Sequence, residues 1–172
     1  EATAVNLKNL ETAQKQKEEK EKEVYVEAKK LEEELMKLGE ICIKNNLWII
    51  SDEIHCDLLR AGKKHIPLAK LFPDYDKIIT CMAPSKTFNM AGLMISNVII
   101  PNHELREIWL SRHYNFDNPL SAAGAQAAYE KGEPWLEELR KYLDSNFVFT
   151  KEYLKENLPK AKFKVSEATY LA

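Results

Sequence analysis

An α/β fold with a mostly parallel sheet flanked by helices is predicted for this 172-residue chain by three observations. Short apolar runs of strand length, Leu-Trp-Ile-Ile at 47–50 and Ile-Ile-Thr-Cys at 78–81, alternate with stretches of helical spacing. Each run gives way at its carboxyl end to a polar segment, the first carrying Asp52 and the second Lys86. The first glycine is Gly39 and all seven prolines lie at Pro67 or later, so a long helix is expected to precede the sheet.

The elements follow in order. Val24, Ala28, Leu31, Leu35, Leu38 and Cys42 recur at steps of four and three, the stripe of a helix packed along one side. Upstream the corresponding places hold Gln14, Lys17 and Glu21, within the lysine/glutamate run 15–23. That run reads as a solvated helix supported by pairs such as Glu18 with Lys22, with a partner-binding role as the alternative. A buried strand is expected at 47–51, a loop through Gly62, a short helix at 66–72 and a second strand at 77–81. The lysine loop runs to Gly92, and 94–100 reads as a third strand ended by Pro101. Residues 103–113 read as a helix capped by Asn102, and Asn118-Pro119 opens a small-residue helix over 121–129. Gly132-Glu133-Pro134 breaks the chain and starts an amphipathic helix over 135–157, with proline in its favoured first turn. Short strands are expected at 163–165 and 169–171. Trp48, Trp109 and Trp135 read as core or helix-packing residues.

Composition excludes several classes. Twenty-five basic and 27 acidic residues give a net charge of −2, so no nucleic acid or other polyanion is expected as a partner. No run approaches the eighteen or more apolar residues of a membrane span, and no signal-peptide core opens the sequence. Cys42, Cys56 and Cys81 lack metal-type spacing and read as reduced thiols of a cytoplasmic protein.

Ligands of open α/β sheets sit outside the carboxyl ends of the strands, so Asp52 and Lys86 could face one crevice. Taken alone, Lys86 could be an exposed loop lysine, Asp52 a cap for the next segment, and Ser85 a turn-stabilising hydroxyl. His55 could be a satisfied loop histidine, or with Cys56 and His65 a zinc ligand, although that spacing matches no closed tetrahedral pattern. Glu53, on the opposite side from Asp52, reads as a structural ion-pair partner.

Three segments narrow the choice: SDEIHCDL at 51–58, APSKTFNMAGL at 83–93 and NPLSAAGAQAAYEKGEPWLEEL at 118–139. Together they resemble the fold-type I pyridoxal phosphate (PLP) enzymes of the class I/II aminotransferase superfamily, and within it the cystathionine β-lyase-like carbon–sulfur lyases. The resemblance implies the PLP-dependent transferase-like large domain over 33–172, truncated at its C-terminus, behind a charged helical leader at 1–32 without counterpart. It implies that Lys86 forms the Schiff base with PLP and then acts as general base, while Asp52 holds the pyridinium nitrogen. It implies that His55 donates to the cofactor's phenolic oxygen in place of an aminotransferase tyrosine, and that Ser85 turns toward the phosphate. The implied substrate is cystathionine or another cysteine S-conjugate, the implied state of the complete protein a homodimer. An aminotransferase on the same scaffold is the alternative, and an inactive fragment acting only in association a second. Two positions depart from the aminotransferase pattern: Ala83 replaces a phosphate-binding hydroxyl, and Met94 a phosphate-binding arginine.

Overall fold

In the computed structural model, which describes residues 2–113 and 118–171, helices surround a small mixed sheet. The side chains at 2–11, 13 and 20–28 also lie outside the described set, and with them Val24, Ala28, Glu21 and the pair Glu18–Lys22. Helix α1 spans Ala2–Lys44. It stops where Asn46 takes a left-handed conformation, φ 54°, which asparagine tolerates better than most residues. Strand β1 (Ile49–Asp52) follows, then the short helix α2 (Leu68–Leu71) and strand β2 (Ile78–Met82).

The two strands run parallel, with Ile49 opposite Ile78 and Asp52 opposite Cys81. Strand β3 (Asn97–Ile99) pairs with β2 in the antiparallel sense, Thr80 opposite Ile99. The expected parallel arrangement therefore holds for one strand pair and fails for the other. Between β2 and β3 the chain forms only the single turn at Pro84–Thr87 and a 3₁₀ turn at Ala91–Leu93, with no helix long enough to cross the sheet and return it in parallel.

Between β2 and β3 the expected lysine loop is partly helical: α3 (Pro84–Thr87) and a 3₁₀ turn at Ala91–Leu93. Helices α4 (His103–Arg112), α5 (Pro119–Lys131) and α6 (Glu133–Asn157) match their expected positions. Asn102 caps α4 by accepting from the Leu105 N–H at 2.9 Å, and Asn118 caps α5 by accepting from Leu120 at 2.9 Å. The two strands expected near the C-terminus do not form. Residues 161–171 run along the loop after β1, held by one bridge between Leu59 and Ala168 and by Arg60 N–H to the Glu167 carbonyl.

The core lies between the sheet, α2, α5 and α6, with Leu58, Leu68, Ile78, Ile100, Ala125, Leu136 and Phe147 buried. The α1 stripe does not close on it. Leu31, Leu35 and Leu38 instead form one wall of a cavity of about 640 Å³, opposite Ile49, Ile66 and Leu68. Trp48, Trp109 and Trp135 are each more than a third exposed, so none is a core residue, although Trp135 packs between helices on Phe88 at 5.8 Å. The other two rings work at the surface, Trp109 stacked on His113 at 3.9 Å and Trp48 beneath the Lys77 ammonium at 5.7 Å.

Candidate active site

Asp52 ends β1 and Lys86 follows the end of β2 by four residues, so the parallel register brings both to the same edge of the sheet. The ladder continues one residue further, where Glu53 N–H donates to the Cys81 carbonyl at 2.9 Å. The chain then leaves the sheet as the loop that carries His55.

Three buried or half-buried polar residues hold that loop. Glu53, 7% exposed, accepts from the Ser51 hydroxyl at 3.0 Å and the Leu68 N–H at 3.3 Å, and lies 2.6 Å from His65 Nε2. It is thus the structural ion-pair partner that its position beside Asp52 suggested. Asp57 accepts from the Thr87 hydroxyl at 2.9 Å, and its carbonyl accepts from Arg140 Nε at 2.7 Å. Arg60 faces Asp144 at 3.1 Å, donates to the Thr169 carbonyl at 2.9 Å and lies 4.6 Å over the Phe147 ring.

The expected site residues differ from these in being free. Asp52 is exposed, and its side chain accepts only the N–H of Ile54, at 3.3 Å. Lys86 is half-buried, and among the described residues its amine has no hydrogen-bond or ion-pair partner. Nδ1 of His55 is enclosed yet has no partner among the described residues, while the ring meets Tyr170 edge-on at 5.8 Å. Ser85 stands beside Lys86 in α3, half-buried, its carbonyl accepting from Met90 N–H at 3.0 Å. Cys56, next to His55, donates to Asp57 Oδ1 at 3.6 Å. Burial, followed by the charge and hydrogen bond of Asp57, pushes its thiol up to about 12, so it stays protonated. No cluster of three or more metal-type ligands occurs among the described residues, and His65 is engaged with Glu53, which removes the support for a zinc site.

Helix α3 is seated by packing. Phe88 lies 5.8 Å from Trp135 and 6.5 Å from Tyr129, ring to ring. A Cβ on Gly132 would stand 2.4 Å from the Phe88 ring, and one on Gly124 2.9 Å from Leu93. Both glycines therefore allow α5 and α6 to approach the lysine segment. Asn89, φ 53°, ends that segment in the left-handed region. Met94 is 93% exposed and offers nothing to a phosphate.

Sequence reasoning missed Asp57, Thr87, Arg140, Arg60 and Tyr170. For Thr87 the signal was available: it directly follows the lysine, in a motif already singled out.

The family of class I and II aminotransferases matches residues 31–171. The chain belongs to that family. It is 42% identical over 145 residues to cystathionine beta-lyase PatB of Bacillus subtilis, covering 81% of this chain and 37% of that protein. The PLP-bound C-S lyase of Staphylococcus hominis superposes with a TM-score of 0.79 at 56% identity, over 81% of this chain and 36% of that one. An aspartate aminotransferase of Bacillus subtilis is 32% identical over 125 residues, 70% of this chain and 32% of that protein. The chain thus spans little more than a third of the length of these relatives. No helix among the described residues is long and apolar enough to cross a membrane.

Proposed function

We propose that this chain carries the lysine–aspartate part of the cofactor site of a PLP-dependent carbon–sulfur β-lyase. The observation that carries the reading is the contrast at the sheet edge: among the described residues Lys86 and His55 Nδ1 have no partner and Asp52 accepts only from Ile54 in its own loop, whereas Glu53 and Asp57 are tied to other elements. Buried polar groups are otherwise hydrogen-bonded, so an enclosed imidazole nitrogen without a partner fits a site completed by a ligand. The fit extends to charge, because an amine and a carboxylate at the ends of neighbouring parallel strands suit an aldehyde and a pyridinium respectively.

Lys86 would hold the cofactor through Nζ, Asp52 its ring nitrogen, His55 its phenolic oxygen and Ser85 its phosphate. Bound there, PLP supplies an electron sink for the charge that develops at the substrate α-carbon. The substrate amine would displace Lys86 from the cofactor, and the freed Nζ would then take the α-proton as general base. Asp52 would hold the proton on the ring nitrogen. Loss of thiolate from the β-carbon of cystathionine or a cysteine S-conjugate, followed by hydrolysis, gives thiol, pyruvate and ammonia.

We read residues 33–172 as the unit that carries this chemistry, residues 1–32 as a leader, and the complete protein as a cytoplasmic homodimer. An aminotransferase is the second reading, favoured by the aspartate aminotransferase relative. Two residues favour the lyase: histidine at 55 and methionine, in place of arginine, at 94.

Borohydride reduction of the complete protein with PLP, followed by peptide mapping, tests the site. A pyridoxyl group is expected on the Lys86 peptide, and labelling spread evenly over the lysines refutes it. The reaction is tested on the complete protein with cystathionine, then with an amino donor and 2-oxoglutarate. Pyruvate is expected to exceed glutamate by about a hundredfold, a difference of about 2.7 kcal/mol between transition states. Glutamate formed as fast as pyruvate would place the protein with the aminotransferases.

A further inference from the structure

Thr87 is the residue after the candidate lysine and is completely buried. A buried hydroxyl needs a partner, and Thr87 finds it in Oδ2 of Asp57 at 2.9 Å, across thirty positions of sequence. Asp57 lies two residues after His55 and five after Asp52. Its other oxygen receives Cys56 Sγ at 3.6 Å, and its carbonyl receives Arg140 Nε at 2.7 Å from α6. The loop that carries His55 and the helix that carries Lys86 are therefore joined by one part-buried hydrogen bond to a carboxylate, and the loop is tied in turn to α6.

Helix α3 needs such a tie. Its last turn has the Phe88 N–H to the Pro84 carbonyl at 2.9 Å, followed by Met90 to Ser85 at 3.0 Å. A single turn fixes more dihedral freedom than its hydrogen bonds return, so its orientation must come from tertiary contacts. Successive helical residues are about 100° apart around the axis. With Thr87 held inward on Asp57, the direction in which Lys86 leaves the helix is set. Released from Asp57, α3 could turn about its axis, and the direction of the Lys86 amine would change with it.

We infer that Asp57 and Thr87 are positioning residues: their hydrogen bond locks the lysine helix to the histidine loop and so aims the Lys86 amine at the crevice. The inference rests on the proposed role of Lys86. It adds that the amine's reactivity is controlled from a part-buried bond that touches neither cofactor nor substrate.

Four variants of the 172-residue chain test it: Thr87→Val, which keeps shape and loses the hydroxyl; Thr87→Ser, which keeps the hydroxyl; Asp57→Ala; and Asp57→Asn, which keeps an acceptor. The first readout needs no cofactor. Amide hydrogen exchange at Phe88 and Met90 should accelerate by about tenfold or more in Thr87→Val and Asp57→Ala, the scale of a hydrogen bond to a charged group. Amides of α6 should be unchanged, and Thr87→Ser should stay within about threefold of the unaltered chain. The second readout is borohydride trapping with excess PLP in the complete protein carrying the same substitutions. Pyridoxyl incorporation at the Lys86 peptide, relative to the other lysines, should fall about tenfold in Thr87→Val and recover in Thr87→Ser and in part in Asp57→Asn. Equal exchange and equal trapping in Thr87→Val and the unaltered chain overturn the inference. So does loss of α6 protection in both Thr87→Val and Asp57→Ala, which would make the bond a requirement of the whole fold. Absence of a pyridoxyl group on Lys86 in the unaltered complete protein overturns the cofactor reading instead, and the exchange rates then decide the coupling by themselves.

Discussion

Replacing Asp144 by alanine should destabilise the chain more than any change to its surface charges, because of what it leaves behind. Arg60 is 8% exposed and its guanidinium faces Asp144 at 3.1 Å. The other oxygen of Asp144 accepts the Ala61 N–H at 3.0 Å, so the substitution removes an ion pair and a hydrogen bond together. Breaking a buried pair by removing one partner costs about 3–5 kcal/mol, mostly the penalty of the stranded charge. Asp144 is 28% exposed on its side chain, and Arg60 keeps the Thr169 carbonyl and the Phe147 ring. The lower end, about 3 kcal/mol, is therefore expected. For a chain of this size that corresponds to roughly 6–12 °C in Tm. The decisive comparison is the double variant. Arg60→Met removes the charge that Asp144→Ala strands, so Arg60→Met/Asp144→Ala should be more stable than Asp144→Ala alone. Thermal melts followed by circular dichroism measure all three. A double variant less stable than Asp144→Ala, or an Asp144→Ala cost below about 0.5 kcal/mol, would refute the stranded-charge reasoning.

Cys56 should resist alkylation. A thiol raised to about 12 holds roughly a thousandfold less thiolate at pH 8 than an ordinary one, and higher nucleophilicity recovers about twentyfold, leaving a rate some fiftyfold below that in urea. Because the folded pKa is the higher one, the rate should climb tenfold per pH unit through the alkaline range, and Asp57→Asn should speed it; a folded rate equal to the unfolded rate contradicts the assignment. Gly132→Ala should cost about 2–3 kcal/mol, since its Cβ would stand 2.4 Å from the Ala128 carbonyl oxygen and from Phe88. Denaturation midpoints check this, and an unchanged midpoint would mean that the α5–α6 junction yields freely. Asn102→Ala should cost about 1 kcal/mol by removing the α4 cap, with faster amide exchange confined to the first turn of α4.

Local signals in the sequence were enough for the helices. Prolines at the first turns of α5 and α6 and asparagine caps at α4 and α5 act over four residues, and each element lies where they place it. The strands were legible in position and only partly in pairing. Nothing within residues 94–100 encodes direction relative to β2; the turn built by α3 and the 3₁₀ segment decides it. The same limit applies to the site. Asp52, His55, Ser85 and Lys86 stand in recognisable runs, whereas the groups that hold them do not. Arg140 reaches the Asp57 carbonyl across 83 positions, and Arg60 reaches the Thr169 carbonyl across 109. Such partners have no periodicity to betray them. The failed C-terminal strands have the same cause, since Leu59 and Arg60 engage residues 167–169 before a ladder can form.

The loop after β1 separates structural from functional polar residues by satisfaction alone. Glu53, Asp57 and Arg60 lie at intervals of four and three and turn inward, each with partners from other elements. Asp52 and His55 flank Glu53, and among the described residues neither side chain has a hydrogen-bond partner from another element. Burying a polar group without a hydrogen bond is costly; Arg60 Nε is also without a hydrogen bond, but its guanidinium has Asp144 and the Thr169 carbonyl, whereas the enclosed His55 Nδ1 has no polar partner among the described residues. It is explained if a ligand completes the arrangement. The three inward residues then serve the two free ones. They fix a loop that has no ladder of its own, so that Asp52 and His55 meet the ligand with their conformational entropy already spent.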